Sequence, residues 1–162
     1  MQTAYSYDIE LGVEGQRIET PFTSNIITGI AEAGIIPVGK VVIFDTTAGR
    51  HDKSVRVPSA TGDITGPAAA GVSMWDPSYP FDGSGFKQFD TLPVMRKGRI
   101  LLKCETVIAK AVRPFVRFAA GGNGVGSIRN DDDSGKAVAA PWLLTITPAT
   151  VAGGLVVVEV NL

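Results

Sequence analysis

The closing run Gly154-Leu155-Val156-Val157-Val158-Glu159-Val160-Asn161-Leu162 constrains this chain more than any other stretch. Its valines are stiff at χ1 and fit a pleated, half-buried surface better than a helix. A strand is therefore expected. Its last backbone groups must find partners in a sheet of this chain or in a neighbouring subunit. That composition suits a body built to hold a shape, and nothing else in the sequence argues as strongly for a catalyst.

At 162 residues the chain can bury one sizeable core, or a main β domain with a small lobe. Fifteen basic side chains against sixteen acidic ones give a net charge of -1. There is then no global field to gather nucleic acid or an anionic membrane, and partners are expected to be proteins. Charged residues are only 19% of the chain, against roughly 25% in an average domain, which makes burial between subunits plausible. The single Cys104 excludes an intrachain disulfide and a multi-cysteine metal cluster, and reads as a buried free thiol on a strand. Met1 to Tyr5 lacks a secretion-signal pattern and no 18-residue apolar run occurs, so the expectation is a soluble protein made inside a cell.

Nineteen glycines and ten prolines punctuate the chain without a period. The best helix candidate, Asn25 to Ala33, has β-branched residues and an internal glycine; it is one or two turns at most, and equally a loop and strand. Strand signals recur at Val38–Asp45, Ser54–Pro58, Ala69–Met74, Thr91–Met95, Ile100–Val107, Val112–Phe118, Trp142–Thr147 and Gly154–Leu162. The first two could pair as a hairpin. Pro114 implies an edge or a bulge. Arg96-Lys97-Gly98-Arg99 reads as a basic hairpin tip, and 119–139 as long flexible glycine-rich connections around a short element at Ile128. Seven to nine strands without a dependable helix predict an all-β fold, an antiparallel β-sandwich or barrel-like domain with long glycine-rich loops. Residues 25–162 would form that domain, interrupted at 75–89 by an aromatic-rich excursion holding Trp75, Tyr79, Phe81, Phe86 and Phe89. The excursion is either a loop packed over its own core or a rigid contact surface. Residues 1–24 form an N-terminal segment, part of the core or an arm reaching a neighbour.

The chemical motifs fail on context. Gly122-Asn123-Gly124-Val125-Gly126 lacks the glycine spacing and following helix of a dinucleotide loop. Asp131-Asp132-Asp133 could gather a hard cation but lacks the EF-hand pattern, so it reads as a solvated acidic loop. His51 sits in a polar turn where Asp52 is merely a sequence neighbour. No catalytic residue, metal site or cofactor is expected, and an enzyme would require an unmarked cluster of carboxylates.

Several short segments carry a resemblance: Gly12-Val13-Glu14-Gly15-Gln16, Gly39-Lys40-Val41-Val42, Val55-Arg56-Val57-Pro58 leading to Gly71-Val72-Ser73, Arg96-Lys97-Gly98-Arg99-Ile100, Ala139-Ala140-Pro141-Trp142 and the closing valine run. Together they resemble the small head decoration, or cement, proteins of tailed bacteriophages, over most of the length. The resemblance implies a β-rich protein on the outer surface of the capsid, commonly a homotrimer where major capsid subunits meet, that stabilises the shell. Function would then lie in surfaces. The candidate contacts are Tyr5, Tyr7 and Ile9, the aromatic residues Trp75, Tyr79 and Phe81, and Asn123 and Arg129 in the 119–136 loop. A tail or baseplate subunit, or a carbohydrate-binding module using Trp75 and Tyr79 near Asp76 and Asp82, is the alternative, since fold alone does not choose.

Overall fold

The computed structural model describes residues 12–18, 25–32, 34–47, 52–78 and 84–162. Among these lie ten strands and one short helix: β1 (Asn25–Ala31), β2 (Val41–Phe44), β3 (Ser54–Arg56), α1 (Thr61–Thr65), β4 (Ala69–Ser73), β5 (Thr91–Lys103), β6 (Phe115–Arg117), β7 (Ile128–Arg129), β8 (Ala137–Ala139), β9 (Leu143–Thr145) and β10 (Leu155–Asn161).

Five strands close on themselves in the order β1-β3-β2-β4-β5, with β5 returning to pair β1. The fold is thus a small mixed barrel with added strands. The wholly antiparallel sandwich is not what forms: β2 and β3 do make the expected antiparallel hairpin, but β3 inserts between β2 and β1 and so runs parallel to β1, with Ile30 opposite Ser54. The segment Asn25–Ala31, for which helix and strand were both open, is a strand. Two bulges bend the barrel. Ala70 is the extra residue where Val42 faces Gly71 and Ile43 faces Ala69, and Arg96 is the extra residue where Ile26 faces Met95 and Asn25 faces Lys97.

β5 is one continuous strand of 13 residues, so Arg96-Lys97-Gly98-Arg99 is not a hairpin tip. Its first half serves the barrel through β1 and β4; its second half carries β10, which in turn carries β9. The basic side chains are dispersed along the strand. The Arg96 guanidinium lies 5.9 Å from the Phe44 ring centroid, and Arg99 Nε donates to Glu159 Oε2 at 3.3 Å. The closing strand finds its partners within the chain: Asn161 N–H donates to the Trp142 carbonyl, and Leu162 N–H to that of Arg96.

Two cores result. Ala31, Val42, Val55, Ala70, Leu92 and Val94, one or two from each barrel strand, fill the barrel with Ile36, Val38 and Phe86. The outward faces of β2, β4 and β5, through Val41, Val72 and Met95, meet Ile100, Leu102, Val116, Ile128, Trp142, Val156 and Val158 in a second core. β4 is buried at every position, which is why Ala69–Met74 shows no alternation. A second sheet, β7-β6-β8, covers this outer core, so the stretch expected to be long flexible loops is instead two short strands and tight turns. Helix α1, marked in the sequence only by the acidic Asp63 of its first turn, is five residues and could not stand alone. Its Ile64 is fully buried, worth about 2 kcal/mol, and the Trp142 indole N–H donates to the Ile64 carbonyl at 2.9 Å.

Candidate functional site

The 119–136 region is organised around one enclosed carboxylate. Glu105 follows β5, and its side chain is 5% exposed. Arg117 on β6 donates to it from Nε at 2.9 Å and from Nη2 at 2.8 Å, and Arg129 on β7 from Nη1 at 3.2 Å. The Asn123 backbone N–H donates to Glu105 Oε1 at 2.9 Å. Gly122, at φ 49°, passes so close that a Cβ would strike this carboxylate, and only glycine lets the turn wrap over it.

The acidic run completes the cluster. Asp131 Oδ1 stands 2.6 Å from Arg129 Nη2; Asp133 Oδ2 stands 2.7 Å from Arg117 Nη1 and 3.0 Å from Arg129 Nη1. The Arg117 hydrogen bond holds the Asp133 carboxyl below its ordinary value against the opposing effect of burial, and the charges of Arg129, Arg117 and Lys136 add to the lowering. Arg117 is pushed upward, first by its hydrogen bond to Glu105. Asp131 and Asp133 thus face guanidinium groups, and no group of three metal-ligating side chains occurs among the described residues.

The contact candidates fall in different places. Tyr5, Tyr7, Ile9, Tyr79 and Phe81 lie outside the described residues, as does His51. Asn123 is exposed at its loop tip, whereas Arg129 is buried with its charge engaged inside the cluster. Trp75 is half-buried and packs against the barrel core, and its backbone N–H donates to the Gly15 carbonyl. Around it runs a cleft of about 400 Å³ lined by Gln16, Arg17, Met74, Asp76, Pro77 and Pro93. A neighbouring cleft shares Asp76 and Pro93 and continues to Ile26 and Thr28; a third lies between Arg113, Trp142, Leu144 and Glu159. Asp76 is occupied locally, accepting from the Ser78 hydroxyl at 2.6 Å and N–H at 2.9 Å, which lowers its carboxyl below the usual range. Residues 15–18, in the second half of the N-terminal segment, are laced to β5: Gly15 N–H donates to the Leu101 carbonyl, Leu101 N–H to that of Gln16 and Ile18 N–H to that of Arg99. Lys40, itself buried, holds Glu14 at 3.0 Å.

One exposed residue has no distinguishing mark in the sequence. Phe89, counted within the aromatic excursion, is 65% exposed and sits at φ 70°. Aromatic content marks the segment, but no local pattern separates Phe89 from the fully buried Phe86 three residues earlier.

Comparison with solved structures finds a chain of the capsid of Myoviridae phage XM1, superposing with a TM-score of 0.70 at 15% identity over 98% of both chains. That likeness establishes a shared fold. Comparison with curated proteins gives no match. The family model of the structural cement protein of E217 gp24 and Pam3 gp6 matches residues 1–161. With that match spanning nearly its whole length, the chain belongs to the phage structural cement protein family and is a capsid decoration protein of the virion.

Proposed function

We propose that this cement protein binds the assembled major capsid protein from outside the shell, as a closed rotational oligomer, most simply a homotrimer, seated where shell subunits meet. The observation that carries this reading is the placement of exposed apolar side chains. Ile35, Phe89, Val107 and Val151 are each more than half exposed, and all sit on turns between strands of a doubly cored body. Contacts at several turns of a rigid body are individually weak. Repeated by symmetry, they gain strength through multivalency.

In this reading Tyr5, Tyr7 and Ile9 belong to an intersubunit arm within 1–24 that starts from the anchor at residues 15–18. Trp75, Tyr79 and Phe81 contribute the aromatic surface, and Asn123 presents the tip of the 119–136 loop. Arg129 holds that loop from within. Light scattering of the purified protein, followed by co-sedimentation with heads assembled without it, tests the reading. A trimer that sediments at a fixed, saturable ratio is expected; a monomer indifferent to heads overturns it.

A further inference from the structure

The turn Lys87-Gln88-Phe89-Asp90 leads from the bridge between Ile36 and Phe86 into β5. Phe89 stands there at φ 70°, a left-handed conformation that is a genuine outlier for a bulky residue and persists only where the surroundings over-determine it. The surroundings do so. Phe89 N–H donates to the Ala31 carbonyl at 2.6 Å, Gln88 Nε2 to the Glu32 carbonyl at 2.9 Å, Lys87 N–H to Asp90 Oδ2 at 2.6 Å and Asp90 N–H to the Lys87 carbonyl at 3.0 Å. The turn is clamped to the end of β1, and what it presents is a phenylalanine that is 65% exposed. Glycine or asparagine would occupy this backbone conformation with less strain and no apolar ring in water. Local stability therefore gives no reason for phenylalanine at this position.

The rim has the character of a contact point. Lys87 and Gln88 are exposed polar neighbours of the ring, and Ile35, 52% exposed, lies on the adjoining segment whose Ile36 pairs with Phe86. A rigid aromatic within a polar rim is the anatomy of a binding hot spot, with little ordering cost left at docking. Each of the three clefts among the described residues mixes apolar lining with a charged side chain, Arg17 and Asp76, Asp76 again, or Arg113 and Glu159, so a second copy of this chain offers the ring no wholly apolar receptor there.

We propose that Phe89 is the aromatic anchor by which the protein docks on the phage shell, its ring entering an apolar pocket of the assembled capsid protein with Ile35 at the edge of the contact. This rests on the capsid-binding reading above and names the element that carries it.

The test uses full-length protein and heads assembled without it, comparing wild type with Phe89→Gly and Phe89→Asn. Both substitutions suit a left-handed backbone, and thermal unfolding of each is expected to remain cooperative and near the wild-type temperature. Each is expected to bind heads at least tenfold more weakly than wild type, with unchanged mass by light scattering. If wild type binds saturably and both folded variants bind equally well, the anchor is overturned while capsid binding stands. A loss of oligomer mass in the variants places the ring against another copy of this chain and overturns the shell pocket. Wild type that does not bind heads overturns both readings.

Discussion

Gly71 shows how little freedom a strand buried on both faces leaves to a single residue. It sits at φ 141° beside the bulge in β4, and a Cβ added there would collide with the Met95 carbonyl oxygen on β5. Because that neighbour is backbone, nothing flexible can give way. Gly71→Ala is expected to destabilise the protein by more than about 2 kcal/mol, read from urea denaturation, with an unchanged m-value if only the native state is affected. Glu105 makes the complementary case for a charge. It holds two buried guanidinium groups and a loop N–H, so Glu105→Gln keeps the shape and removes the charge they share. A loss of about 3 kcal/mol is expected in the same experiment, since the two enclosed guanidinium groups would keep only the more exposed Asp131 and Asp133 as counter-charges.

At the scale of elements, two carboxylates tie local structure to pH. Asp133 joins the turn before β8 to β6 and β7. Asp63 anchors the start of α1, accepting from the Ser59 N–H at 2.7 Å, the Ala60 N–H at 3.1 Å and Arg56 Nη1 at 3.2 Å. Burial alone would raise the Asp63 carboxyl, but the Ser59 hydrogen bonds and the Arg56 charge outweigh it, and the net shift is downward. Both groups lie below the ordinary 3.8 in the folded protein, so the unfolded chain takes up protons first as the pH falls. Their contribution to stability is whole at neutral pH and is lost as the pH drops through 3.8 and then through the depressed folded-state values. Melting temperature followed from about pH 7 to about pH 3 is expected to fall on the acid side, and the double variant Asp63→Asn, Asp133→Asn to show a flatter acid limb from a lower neutral value. An acid limb as steep as wild type would show that neither carboxylate is linked to folding.

For the molecule as a whole, Cys104 reports whether barrel and outer sheet act as one body. It follows β5 at the junction of the two: its N–H donates to the Gly154 carbonyl, its carbonyl accepts from Gly153, and it bridges to Ile128 at β7. The thiol is fully buried, and burial, with the Glu14 charge adding, pushes it up to about 12. At neutral pH it is neither exposed nor ionised, so a disulfide reagent reaches it only through opening. Its labelling is expected to require the same opening free energy as the slowest amide exchange in β4. Much faster labelling would mean that β6, β7 and β8 separate from an intact barrel.

The strands that alternate, or that consist of branched residues, are legible in the sequence by itself. Val41–Phe44, Ser54–Arg56 and the closing valine run are strands because their side chains prefer that backbone locally. Family resemblance is legible too, since short segments of sequence carry it. What tertiary structure alone decided depends on partners distant along the chain. The basic stretch Arg96–Arg99 reads locally as a turn, and becomes strand interior because Phe44 and Glu159, far away in sequence, receive its arginines. The glycine-rich stretch 119–136 reads as slack, and is held beside β6 because Glu105 gathers its Arg129 and the Asn123 backbone together with Arg117 of β6. The contrast between buried Phe86 and exposed Phe89, identical in type and three residues apart, is settled by a backbone clamp to β1 that local pattern does not encode. Local preference acts through each residue's own backbone and is written in the sequence; burial and charge pairing act through space, and only the closed barrel brings those partners together.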